Sequence, residues 1–178
     1  MASPQALSES DRRTVAAWAA ECAEHVFPLF DAAEPHDPRV RDAIDRARAY
    51  SRGELRTADE IRHRGLASGA ARSAHTAVAR AAARAAGQAS AVAHMGAHAL
   101  GAAAYAAKAI ALAAPDRPEA AHDEVQWQLA QTDGDVRVAL RLLPPVGQDR
   151  SGPLSPGLLS TGLLGDVVRE IQAALVAR

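Results

Sequence analysis

The sequence predicts an all-α protein, a single compact helical bundle of about six to seven helices with central alanine-rich helices. Three observations carry this. About half the residues from Ala70 to Ala114 are alanine, the residue with the highest intrinsic helix propensity. Apolar residues near both chain ends recur at three- and four-residue spacing, which gathers them on one helix face. No apolar–polar alternation of strand length occurs anywhere. Helices that present only methyl groups can approach closely, so the alanine-rich ones are expected at the centre with the others packed across them.

The first helix starts after Ser8, which can cap it, with Asp11 three residues on in a variant of the capping box. Val15, Trp18, Cys22 and Val26 then define a buried face, and Pro28 should end or kink the helix. Asp37 followed by Pro38 reads as an N-cap with proline at the first helical position. The second helix turns Val40, Ile44, Ala47 and Tyr50 inward and carries a mixed-charge outer face of Arg41, Asp42, Asp45, Arg46 and Arg48. Gly53 breaks that pattern. Thr57 and Glu60 have capping-box spacing, so a third helix should start near Ala58.

A break is expected near Gly69, then one helix over about 73–86 and another over about 87–113. Asp116 and Pro118 predict the start of a helix reaching about Thr132, with Val125, Trp127 and Leu129 as its bulk. Gly134 should stop it, and Asp135 should start a short helix bearing Val136, Leu140 and Leu143, ended by Pro144 and Pro145. This gives an alanine-rich helical domain over 1–146, a Gly/Pro linker over 147–157 and a C-terminal amphipathic helix over 158–178. Leu164, Val168, Ile171 and Leu175 form that helix's apolar stripe, widened by Val167. The stripe must dock on the body, on a second copy or on a partner.

Composition narrows the function. A chain of 178 residues with net charge −1 lacks the basic surface of a nucleic-acid binder. One cysteine, Cys22, rules out an intrachain disulfide framework. The N-terminus has neither a basic start nor an apolar core, and the alanine run is interrupted by His94, His98 and Lys108, so a cytoplasmic protein with no membrane span is expected. No glycine-rich phosphate-binding motif occurs, and no cofactor is expected.

On an ideal helix one stripe of the alanine-rich region is not alanine: His94, His98, Gly101, Tyr105 and Lys108, the last being the chain's only lysine. His94 and His98 lie one turn apart, a spacing that can chelate zinc, with His75, His63 or a distant carboxylate as a third ligand. The glutamate of a His-Glu-x-x-His motif is absent, because Met95 follows His94. The alternative is a polar seam that fixes helix register among interchangeable alanines. In that case Glu21, Glu24 or Asp31 would supply the missing acids. Gly87, Gly96 and Gly101 would permit tight helix crossings. Arg52 and Glu54 flank Gly53 at a corner that, together with the Arg/Asp face of the second helix, is the candidate surface for a protein partner. Cys22 and His25 are three residues apart, but no third group orients them as a catalytic dyad. No catalytic constellation emerges.

Three segments together resemble an all-helical bacterial family of putative immunity proteins with an immunity-protein-five-like domain. One is Ser8 to Phe30, containing Trp18-Ala-Ala-Glu-Cys-Ala-Glu-His-Val-Phe-Pro-Leu-Phe30. The second is Arg46-Ala-Arg-Ala-Tyr-Ser-Arg-Gly-Glu54, and the third runs from Ala85 through His94 and from His98 to Lys108. The resemblance spans about Leu7 to Leu143. It implies that Trp18, Gly53, Glu54, His94, His98, Tyr105 and Lys108 belong to the family's pattern. It also implies a protein partner, the cognate toxin of a polymorphic toxin system, and brings no catalytic residue with it. The residues leave two other readings: a helical ligand- or metal-binding protein that uses the His94–Lys108 stripe, or a homo-oligomeric scaffold joined through the C-terminal helix.

Overall fold

The computed structural model describes residues 3–63 and 65–177. Its α-helices are α1 (Glu9–Asp31), α2 (Arg39–Ser51), α3 (Thr57–His63), α4 (Leu66–Ser73), α5 (Ala77–Ala91), α6 (His98–Ala113), α7 (Ala120–Ala130), α8 (Gly134–Arg141) and α9 (Gly162–Val176). Single 3-10 turns lie at Pro4–Ala6 and Leu158–Ser160, and no strand occurs among the described residues. The helices outnumber the six or seven expected because the stretch from Thr57 to Ser73 divides into two short ones. Among the described residues, no helix is long and apolar enough to cross a membrane.

At the centre, α5 and α6 pack on each other and α1 lies across both. Every residue of α6 from Ala99 to Ala107 is buried, as expected of a helix that is apolar all round. Alanine loses no rotamer freedom on burial, so a core of methyl groups carries no side-chain entropy cost. The bulk comes from the flanking helices: Val15, Trp18, Cys22 and Val26 of α1, and Val40, Ile44, Ala47 and Tyr50 of α2, are all essentially inaccessible. Trp18 Nε1 donates to the Gln128 carbonyl at 2.9 Å and ties α1 to α7.

Local signals hold where a side chain has no better partner. Ser8 Oγ accepts from Asp11 N at 3.1 Å, and Asp37 Oδ1 accepts from Arg39 N at 3.1 Å. Other expected caps fail. Thr57 does not cap α3: its hydroxyl sits 3.4 Å from Tyr50 Oη, while Glu60 is buried and takes Arg46 Nη2 at 2.5 Å. The cap of α8 is Asp133, whose Oδ1 accepts from Val136 N at 2.8 Å, and Gly134 opens that helix rather than stopping the one before. α1 runs through Pro28 to Asp31, and α7 starts at Ala120 rather than at Pro118.

The largest correction concerns the alanine-rich helices. α4 runs through Gly69, α5 begins after a Thr76 cap, and α5 then runs through Gly87; the break falls at residues 92–97. The N-terminal segment causes it. Gly96 N donates to the Ala6 carbonyl at 3.2 Å and Ala97 N to the Gln5 carbonyl at 3.0 Å. The Leu7 side chain fills the space where a Cβ on Gly96 would stand, 2.4 Å from its Cδ1. Helical backbone bonds are therefore exchanged for bonds to residues 5 and 6.

Behind this contact, the glycine- and proline-rich segment over 147–157 is seated on the body. Gln5, fully buried, donates from Nε2 to the Ser151 carbonyl at 2.5 Å and to Asp149 Oδ2 at 2.7 Å, and its Oε1 accepts from Leu154 N at 2.9 Å. Leu154 is buried as well. Replacing Gln5 with alanine should cost about 1–3 kcal/mol, because it leaves buried backbone groups without partners. Hydrogen exchange should show the Leu154 amide losing protection; an unchanged Leu154 amide would mean the segment is held by other contacts. The apolar stripe of α9 docks on α6, α7 and α8 of its own chain, with Leu164, Val167, Val168, Ile171 and Leu175 all buried.

Candidate functional site

The break between α5 and α6 divides the predicted stripe. His94 lies exposed in the turn, while His98, Gly101, Tyr105 and Lys108 follow on α6. His98 is half-buried, and its Nδ1 lies 2.8 Å from Gln88 Oε1 of α5. Gly101 makes that contact possible, since a Cβ there would stand 2.2 Å from Gln88 Oε1. The two histidines thus share one face, but among the described residues no set of three or more His, Cys, Asp or Glu side chains is placed to hold a metal. His75, offered as a third ligand, is instead held by Glu34 at 2.9 Å. His63 sits beside Arg46 and the Asp59 carbonyl.

What this face does form is a groove. One hollow of about 610 Å³ is lined by Arg84 and Gln88 of α5, His94, His98, Tyr105 and Leu158. A second, of about 250 Å³, continues from Arg84 and Tyr105 to Arg80 and Lys108. A third connects His98 and Tyr105 to the 152–159 segment. Among the described residues, no aspartate or glutamate lines any of the three.

The cations here are not neutralised from within. Neither Arg84 nor Lys108 makes an ion pair with a described residue; Arg84 lies over the Tyr105 ring at 5.6 Å. The acids that a polar seam would have supplied are elsewhere: Glu24 is held by Arg41 at 2.6 Å and Arg48 at 3.1 Å. Tyr105 is only 3% exposed, yet its hydroxyl has no hydrogen-bond partner among the described residues. The hydroxyl oxygen is not among the fully buried polar atoms that lack a partner, so it is open to water in the groove.

The charged face of α2 behaves in the opposite way. Arg39 pairs with Asp37, Arg41 and Arg48 share Glu24, and Arg46 pairs with Glu60. At the corner after α2, Gly53 takes φ +82°, and Arg52 grips Glu54 with both Nε and Nη2, at 2.6 and 2.8 Å. The Arg52 guanidinium holds the Glu54 carboxyl below its ordinary pKa. Arg52 and Glu54 satisfy each other and lie outside the groove.

The Cys22–His25 pair does not form a dyad. His25 stacks on Trp127 with ring centroids 3.7 Å apart, and its Nδ1 lies 2.9 Å from Glu124 Oε2. Burial, then the nearby carboxylates of Glu124 and Glu21, push the Cys22 thiol well above its ordinary pKa. Cys22 should therefore resist a thiol reagent in the native protein and react once denaturant unfolds it. Fast labelling of the folded protein would overturn that assignment.

Sequence reasoning missed Arg84, Gln88 and Leu158. A signal for the first two was present: Arg80, Arg84 and Gln88 recur every four residues in a run otherwise made of alanine and Gly87, and share one helix face. Nothing local marked Leu158, whose place depends on how residues 147–157 fold back.

Among curated proteins and among solved structures, nothing matches this chain. The family model described as Imm-5 like putative immunity protein matches residues 5–135. That range takes in α1 to α7 and most of the groove, including Arg84, His94, His98, Tyr105 and Lys108. Leu158 and α9 lie beyond it. The chain therefore belongs to the Imm-5 like putative immunity protein family.

Proposed function

We propose that this protein binds and neutralises a cognate toxin in the cytoplasm, and that the groove between α5 and α6 is its capture surface. The observation that supports the groove is the contrast in charge pairing. Cations on α2 are consumed by acids of the same chain, whereas Arg84 and Lys108 have no such partner among the described residues. A concave surface lined by one sign of charge focuses its field and speeds capture of an oppositely charged partner. The partner's contacting surface is then acidic. No catalysis is required: covering the toxin's working surface suffices.

Growth rescue tests this. Toxins encoded beside this chain's gene are expressed with and without it, and one of them should arrest growth alone and form an equimolar complex when both are present. If no neighbouring gene product is both toxic and bound, the reading fails.

A further inference from the structure

We propose that Arg84, Lys108 and the Tyr105 hydroxyl form a seat for a carboxylate, with Leu158 beside it for an apolar side chain. This rests on the toxin-binding reading and names the chemistry of the partner element: a glutamate or aspartate next to an aliphatic residue.

Four observations converge. Arg84, Tyr105 and Lys108 line the same hollow, on facing turns of α5 and α6. Both cations lack an ion-pair partner among the described residues. The Tyr105 hydroxyl is a donor on a largely buried side chain that lines the hollows, is itself open to water, and makes no hydrogen bond with a described residue. A carboxylate satisfies all three groups, because it accepts several charge-assisted hydrogen bonds at once. Leu158 is 65% exposed and lines the larger hollow. An exposed leucine is unremarkable alone, but this one is held in place by a segment anchored through buried Gln5 and Leu154.

The chemistry favours a carboxylate with an apolar neighbour over a nucleic acid. Tyr105 is the one Phe, Tyr or Trp ring lining the described hollows, and Arg84 lies over it, so no large aromatic platform is offered to a base.

Titration of the full chain with the blocked dipeptide N-acetyl-Glu-Leu-amide tests the seat, read by NMR at the His94 and His98 rings. Saturable binding is expected, and N-acetyl-Gln-Leu-amide should bind at least about tenfold more weakly. Arg84→Gln and Lys108→Met should each remove the preference for glutamate. Tyr105→Phe should weaken binding several-fold, and Leu158→Ser should weaken both peptides alike. Arg84 is exposed and Lys108 half-exposed, so these variants should keep the wild-type melting temperature. Equal binding of the two peptides, or a preference that survives in both cation variants, overturns the proposal. Saturable binding of inorganic phosphate with none of the dipeptide also overturns it and reassigns the site to a phosphate-bearing ligand. Toxin rescue is read separately: rescue that persists in the cation variants sinks the seat alone, and dipeptide binding without any rescue sinks the toxin reading alone.

Discussion

Replacing Trp18 with alanine is expected to destabilise the protein by about 3–5 kcal/mol. Trp18 is 1% exposed and sits on α1, the helix that packs across the alanine-rich α5 and α6. A cavity is costly in proportion to how little its walls can collapse, and methyl groups have no reach with which to refill it. The substitution also strips the Gln128 carbonyl of its donor. Gln128 is itself fully buried and bridges to the Ala103 carbonyl and to Glu124 Oε1, so the α1–α7 contact loosens as a unit. Urea unfolding should show a lower midpoint with little change in slope. Trp18→Phe keeps most of the volume and should lose only about 1–2 kcal/mol, chiefly the hydrogen bond. Equal losses for the two would mean that the hydrogen bond, not the volume, dominates.

The second large effect concerns function. Reversing both groove cations, Arg84→Glu with Lys108→Glu, should weaken toxin binding by at least about 100-fold, or about 2.7 kcal/mol. The double variant places two negative charges where the acidic partner must sit, and like charges facing each other across an interface cost several kcal/mol. The fold should be spared, because neither side chain is in the core. Swapping the corner pair, Arg52→Glu with Glu54→Arg, provides the contrast. Those two residues already satisfy each other and lie outside the groove, so the swap should change affinity by less than about threefold.

Helix identity was readable wherever one face is apolar. The faces of α1, α2 and α9 follow from spacing alone, and each of their anchors is buried as expected. The alanine region was readable as helix but not as a set of boundaries. Alanine is equally at home on every face, so it gives no phase. The interruption at 92–97 is instead dictated from outside, by residues 5 and 6 taking over the backbone bonds of Gly96 and Ala97. Capping signals failed for a related reason. Thr57 and Glu60 had the right spacing, but Arg46 and Tyr50 compete for the same side chains.

The candidate site was half visible. His98, Tyr105 and Lys108 stand out because they are not alanine, and the structure keeps all three on one face of α6. The rest was hidden. Only the packing of α5 on α6 brings Arg84 over Tyr105, and Leu158 comes from a segment whose path depends on a buried glutamine at the other end of the chain. At α2 a dense run of arginines and aspartates reads in sequence as a charged outer face; in three dimensions its arginines pair with acids outside the helix, Asp37, Glu24 and Glu60.

The most direct test of the groove as the capture surface is calorimetric titration of the cognate toxin into three proteins: wild type, the Arg84→Glu/Lys108→Glu variant and the Arg52→Glu/Glu54→Arg variant. Binding should collapse only in the groove variant, and the wild-type affinity should fall as salt is raised. Full-strength binding by a folded groove variant, or a collapse confined to the corner variant, would contradict the account.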